Sequence, residues 1–502
     1  MTSCRNRRIT AIAAALAATA CATATRPASP SPPSPPAAPA LTTLSRDLDA
    51  ILAAPALQHG YWGVVVRSLD SGETLYAVNA RKLMLPASSM KVVTLAAAAD
   101  KLGWDFRYDT TLHASGAIEN GILQGDLVAV GSGDPSLTVA DGNADRVFAG
   151  WAGALKERGI RAIAGRIVGD DNQFEDETLG FGWSWDDLPD DYAAGVGALQ
   201  FNENAARVTV APGPAPGDSA AVAMAPPGSG LTVVNGVLTG PAGGAASIAT
   251  RRLPGTTTLE LRGSIAAGAA AATLDVAVDN PTLFFVSALR RALIANGIDV
   301  RGEAVDIDAL QGPRPKPSGA PLAAWKSPPL AELAVRLMKI SQNQYAETLL
   351  KTMSEGAVKS AASGRTAALA ILHGWGVQPA ELIMRDGSGL TRYDFVSPEA
   401  LVTILAHVHG DAKLRGPFEA SLPIAGRDGT IANRMKGTPA EGNARAKSGS
   451  MTGVRSLSGF VTSAGGEPLA FAIVANNFET PPDVVNAATD AIVVRLANWA
   501  RR

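Results

Sequence analysis

At 502 residues, 46% hydrophobic and 18% charged, the chain exceeds one average domain and is too apolar to be disordered. A formal net charge of -2 gives no electrostatic pull toward nucleic acid, and no apolar run beyond the N-terminus is long enough to cross a bilayer. Both cysteines, Cys4 and Cys21, fall near the N-terminus, so the body of the chain can form neither an internal disulfide nor a cysteine metal site.

Residues 1–24 read as an export signal, with Arg5, Arg7 and Arg8 ahead of an apolar stretch from Ile9 to Ala20. Two endings are open. Ala18-Thr19-Ala20 before Cys21 resembles a lipobox and would give a lipid anchor, whereas Ala22-Thr23-Ala24 suits ordinary signal cleavage. Either ending implies a periplasmic location, tethered to the outer membrane if Cys21 is lipidated. Residues 25–40 are Pro-rich and read as an extended linker.

Beyond the linker, apolar spacing predicts a helix over 42–57, a hairpin of strands 61–69 and 74–78, and a mostly buried helix over 88–102. Residues 108–279 differ in kind. They are strand-like, with a single ordinary helix at 145–159 and a Gly, Pro and Ala-rich portion at 211–250 that reads as loops around short strands, so they are taken as an inserted accessory region. Helical patterns return at 281–296, 329–340 and 361–375, followed by a strand hairpin at 454–462 and 468–476 and a last helix at 483–500. A catalytic domain of residues 41–107 and 280–502, with a sheet made by both chain ends, follows from this order.

The chemistry begins with an exclusion. Five histidines and no G-x-S-x-G elbow leave a Ser-His-Asp hydrolase unsupported, and His407-Val-His409 reads as surface histidines near a helix end, since i and i+2 face apart on a helix. No metal or cofactor is implied. Ser88-Ser89-Met90-Lys91 offers a lysine route: three residues apart on a helix, the Lys91 amine reaches the Ser88 hydroxyl. The helix N-terminus and burial both lower the lysine pKa toward a neutral base. Ser341-Gln342-Asn343 supplies a hydroxyl and an amide for proton relay and substrate binding. In Lys447-Ser448-Gly449, Lys447 would hold down the pKa of Lys91 and attract a carboxylate, and Gly449 clears space along a strand edge. The Ser450 N–H would pair with that of Ser88 as an oxyanion hole.

The trio S-x-x-K, S-x-N and K-[ST]-G resembles the penicillin-recognising serine acyl-transferases. The gap from Ser88 to Ser341 is more than twice that from Ser341 to Lys447. Such a long insert is similar to the class C low-molecular-mass penicillin-binding proteins, the D-alanyl-D-alanine carboxypeptidase/endopeptidase family. Further matching runs are Gly131 to Pro135, Gly169 to Phe174, Gly182 to Leu188, Leu199 to Asn204, Asp386 to Leu390 and Ala425 to Thr430. Ser448 stands where this family more often has Thr.

The resemblance implies an α/β (α+β) fold: a β-lactamase/transpeptidase-like domain, an antiparallel sheet between helical layers, with a long inserted β-rich region. It implies that Ser88 attacks a D-alanyl carbonyl of a peptidoglycan stem peptide, with Lys91 as base, Ser341 and Lys447 as proton shuttle, Asn343 orienting the acyl amide and Ser448 holding the terminal carboxylate. β-Lactams would acylate the same serine. Two finer expectations are that Met451 lines the pocket for the stem-peptide side chain and that Asp170 meets its ammonium. Rival readings are a β-lactamase or esterase using the same trio, and a non-catalytic tethered muropeptide-binding protein. Oligomeric state is not readable from sequence.

Overall fold

The structure is a computed structural model describing residues 39–316 and 318–501. The export signal, Cys4, Cys21 and the linker up to residue 38 lie outside the described residues.

Strands from both chain ends build the central sheet. Its order is Thr74–Val78, Tyr61–Ser68, Pro468–Asn476, Val454–Thr462 and Arg445–Met451, with every pair antiparallel. Alternate side chains of a strand face opposite ways, and here both faces are covered. Val64, Val66, Phe471 and Ile473 meet Leu44 and Leu48 of the helix Pro39–Leu52 and Val485, Ile492 and Leu496 of the helix Pro482–Ala497. The intervening Val65, Ala472 and Val474 join a second core built on the helices Met90–Leu102, Leu330–Lys339, Asn343–Thr352, Ala361–Gly374 and Pro398–Gly410. The expected α+β arrangement, an antiparallel sheet between helical layers, is therefore present.

The accessory region is β-rich, with two three-stranded sheets and mixed sheets of four and five strands. Its far boundary differs from the expected 280. The helix Pro281–Ala295 places Phe284, Phe285 and Leu289 in the accessory core with Leu112, Phe148 and Trp151. The strands Asp299–Val300, Ala304–Asp306 and Ser318–Lys326 likewise pair with accessory strands, so by pairing the unit runs to residue 326. Apolar spacing shows that a helix has a buried face but not which core receives it.

The Gly-rich portion, read as loops around short strands, carries the strands Ala221–Ala225, Thr232–Gly240 and Ser247–Arg251. One further element departs from expectation. The first helix ends at Leu52 and is followed by a separate turn, Pro55–Leu57.

Candidate active site

Ser88 sits in a tight turn, Ala87–Ser89, that runs into the helix Met90–Leu102. Ala87 is held at φ 46, a left-handed conformation that costs a non-glycine residue energy and is retained where surrounding structure imposes it. The turn is clamped to the sheet through Ser89, whose Oγ lies 2.8 Å from Ser456 Oγ, while Ser456 donates to Pro86 O at 2.6 Å. Of the two adjacent serines, Ser89 is fully buried in this clamp and Ser88 faces a cavity.

Lys91 is completely buried and donates to Ser88 Oγ at 2.9 Å, to Asn343 Oδ1 at 2.6 Å and to Ser388 O at 2.9 Å. Burial lowers its pKa to about 7, against the opposing pull of Asp386 and Glu347. Lys447 is also completely buried, donating to Ser448 O at 2.6 Å; burial and the charge of Lys91 take its pKa well below the usual lysine range. Burial is the largest cause at both lysines, and the charge of Lys91 is a further cause at Lys447.

Ser341 follows the helix Leu330–Lys339 at φ 65, and Asn343 opens the helix Asn343–Thr352. The Asn343 side chain is engaged at both ends, since Nδ2 donates to Tyr192 O at 2.7 Å while Oδ1 accepts from Lys91. The accessory region holds this helix in place. Gln344 donates to Gln200 Oε1 at 2.6 Å, Gln200 donates to Thr348 Oγ1 at 3.0 Å, and Gln342 donates to Glu203 Oε2 at 2.9 Å.

The Asp386 to Leu390 run forms the third wall. Glu347 accepts the N–H groups of Gly387 and Ser388, and Asp386 accepts those of Gly389 and Thr391 and the Trp183 indole N–H. Gly389, at φ +81, lies so near that a side chain would strike Ala87 O, which brings the loop against the serine turn.

The strand Arg445–Met451 is an edge strand of the sheet. A Cβ on Gly449 would clash with Ser456 Oγ and stand 2.6 Å from Pro86 O and 2.9 Å from Ser88 N, so glycine is what lets the strand touch the serine turn. Ser448 donates to Thr430 Oγ1 at 2.6 Å, and the Thr430 loop is tied to the end of the helix Leu330–Lys339 by Lys339 donating to both Asp428 oxygens at 2.7 Å.

These pieces surround a cavity of about 550 Å³ lined by Ser88, Ser341, Asn343, Ser450 and Met451, together with Asp187, Tyr192 and Arg392. A second cavity, of about 330 Å³, lies on the side of Ser448 and Gly449 and shares Ser88, Ser341 and Ser450 with the first. Asp170 is in neither wall. Its carboxylate accepts the N–H and side-chain amide of Asn172 in a local turn, and the accessory carboxylate that lines the cavity is Asp187, to which the Tyr192 hydroxyl donates at 2.8 Å. Asp187 lies in the Gly182 to Leu188 run, whose resemblance carries no role for it, and no motif spacing marks Tyr192 or Arg392.

The candidate metal-type residues lie elsewhere. His409 Nδ1 is 2.8 Å from Glu419 and His407 stacks on Trp375. Among the described residues one acidic group, Asp171, Asp306 and Asp308, brings three carboxylates together in the accessory region; each is already engaged, by Thr282, Asn280 and Arg314 respectively.

Residues 44–499 match the D-Ala-D-Ala carboxypeptidase 3 (S13) family. The chain is similar to the D-alanyl-D-alanine carboxypeptidase of an Actinomadura species, 37% identical over 92% of this chain and 85% of that one. It is also similar to D-alanyl-D-alanine carboxypeptidase DacB of Haemophilus influenzae, 30% identical over 83% and 86% of the two chains. Among solved structures it resembles penicillin binding protein 4 (dacB) from Haemophilus influenzae, with a TM-score of 0.78, 27% identity and coverage of 91% and 99%, and the complex of that protein with a β-lactam, with a TM-score of 0.71, 26% identity and coverage of 90% and 97%. With the family matched over almost the whole folded body and the serine-lysine geometry at its centre, the chain belongs to the D-Ala-D-Ala carboxypeptidase 3 (S13) family.

Proposed function

We propose that this protein is a serine D-Ala-D-Ala carboxypeptidase, also competent as a D,D-endopeptidase, that acts on peptidoglycan stem peptides through an acyl-enzyme on Ser88. The observation that carries the residue roles is the 2.9 Å hydrogen bond from a fully buried Lys91, with a pKa near 7, to the hydroxyl of Ser88 at a cavity wall. Neutral Lys91 takes the Ser88 proton as Oγ bonds to the D-alanyl carbonyl carbon. The oxyanion lies between the N–H groups of Ser88 and Ser450, on the turn and the strand that Gly449 allows to meet. As the C–N bond breaks, the proton passes through Ser341 and Lys447 to the leaving amine, and water then hydrolyses the ester.

Ser448, with Thr430 behind it, binds the terminal carboxylate. Asn343, already fixed by Lys91 and Tyr192, has one remaining N–H for the acyl amide. On the acyl side, Asp187 and Arg392 share the cavity wall with Met451 and give opposite charges for the zwitterionic end of a diaminopimelate side chain, Asp187 taking the ammonium that was expected at Asp170. The β-lactam complex of the similar Haemophilus protein supports acylation of Ser88 by β-lactams. The family's cell-wall substrate supports an envelope location; anchoring through Cys21 remains the proposal made from the lipobox-like run. The test is D-Ala release from a diaminopimelate stem pentapeptide. Lys91→Ala should lower the rate by at least about a hundredfold, and an unchanged rate would remove Lys91 as the base.

A further inference from the structure

The second cavity is larger than a departing D-alanine requires. At about 330 Å³ it falls in the range of sites for whole small-molecule ligands, and beyond Ser448 and Thr430 it continues past Arg434 and Arg455 to Pro482, Asp483 and Asn486. Its two arginines are not equivalent. Arg434 is committed to Asp490, donating through Nε at 3.0 Å and Nη2 at 2.7 Å, and to Thr489 Oγ1 at 2.7 Å. Arg455 makes no ion pair among the described residues. Its Nη1 donates to Met451 O at 2.9 Å and Val454 O at 2.7 Å, which fixes the guanidinium plane while Nε and Nη2 have no protein acceptor among the described residues.

Arg455 is also placed by register. It stands opposite Ser450 in the hairpin, and directly paired residues project from the same face of a sheet. Ser450 borders both cavities, so Arg455 is one strand further from Ser88 on the leaving-group side. A half-buried cation with neighbouring Arg434 raising the local positive potential, and Asp483 the one acidic group acting against it among the described residues, calls for an anion. An arginine held by one nitrogen keeps the rest of its donor fork for a carboxylate.

We infer that Arg455 forms a leaving-group subsite that binds a second carboxylate, one carried by the departing peptide of a D-Ala-diaminopimelate cross-link and absent from free D-alanine. This rests on the carboxypeptidase reading and on Ser448 as the binding group for the first carboxylate. Arg455 then decides how well cross-linked dimers compete with pentapeptide, and the enzyme's balance between the two bonds lies in the hairpin and the start of the last helix.

The test uses the mature full chain with three substrates: a stem pentapeptide, a cross-linked muropeptide dimer, and the same dimer amidated on its leaving peptide at every carboxylate except the one α to the leaving amine. For the wild type, amidation should lower kcat/KM about tenfold. In Arg455→Ala the two dimers should become equivalent, and the ratio of dimer to pentapeptide kcat/KM should fall about tenfold; Arg455→Lys should restore part of it. If amidation has no effect on the wild type, or if Arg455→Ala lowers pentapeptide and dimer cleavage equally, the subsite is wrong while the carboxypeptidase reading stands. If the wild type cleaves none of the three and takes no penicillin label, both readings fail.

Discussion

The Glu347 carboxylate accepts the Ser388 N–H at 2.8 Å, and the carbonyl of the same Ser388 accepts from Lys91 Nζ at 2.9 Å. One residue's two backbone groups thus connect a buried acid to the proposed base. Glu347 also accepts the Gly387 N–H with both oxygens at 3.0 Å, so the loop is held by acceptor-only contacts that an amide side chain cannot reproduce. Glu347→Gln should slow acylation by a penicillin about tenfold, the scale of one lost charge-assisted hydrogen bond. Burial and the Asp386 charge push the Glu347 pKa up to about 7; once ionised, Glu347 raises the Lys91 pKa, so its loss should also move the pH profile to lower pH. A slower rate with an unmoved profile would make Glu347 merely structural.

The pH dependence of the native enzyme follows from Lys91. Only its neutral form accepts the Ser88 proton, and its pKa is lowered to about 7 by burial. The acylation rate should rise tenfold per pH unit well below pH 7 and level off above it. An ordinary exposed lysine would give a rate still climbing toward pH 10. Stopped-flow labelling with a fluorescent penicillin across pH 5 to 9 distinguishes them.

Gly449 gives a steric prediction. Adding a methyl drives the edge strand away from Pro86 O, Ser88 N and Ser456 Oγ. Displacement of about an ångström at reacting groups costs on the order of a hundredfold in rate, so Gly449→Ala should lose acylation to about that extent. Circular dichroism and a melting curve should still show a folded protein. Full activity in this variant would mean that the strand need not touch the serine turn.

Parallel variants compare the two accessory carboxylates. Asp187→Ala should raise KM for a diaminopimelate stem peptide about tenfold, as expected for one lost charged contact. Asp170→Ala should leave it unchanged, because that side chain is occupied by Asn172 outside both cavity walls. The reverse outcome would return the ammonium contact to Asp170.

The parts of this molecule that were legible in its sequence are those in which local pattern and burial agree. The strands Val454–Thr462 and Pro468–Asn476 read as a hairpin from two strand-like runs, the second continuously apolar, around the Gly465-Gly466 turn, and Ser88 and Lys91 from helical spacing. The helix Asn343–Thr352 did not read as a helix, because it lies between the main core and the accessory region and buries Asn343, Gln344, Glu347, Thr348 and Lys351 as well as Leu349 and Leu350. Burial on every side through polar contacts erases amphipathic spacing. Asp187 and Tyr192 were hidden for a related reason: the loop that carries them is pinned at a distance, by Trp183 on Asp386, and sequence spacing does not record such a contact.

The central claim is a covalent one, that Ser88 is the acylated residue. Peptide mapping by mass spectrometry after incubation with penicillin, for the mature wild type and Ser88→Ala, tests it directly. The account predicts a stoichiometric adduct on the peptide carrying Ser88, no adduct in the variant, and loss of D-Ala release from pentapeptide in the same variant. An adduct on Ser89 or Ser341, or D-Ala release that survives in Ser88→Ala, would contradict it.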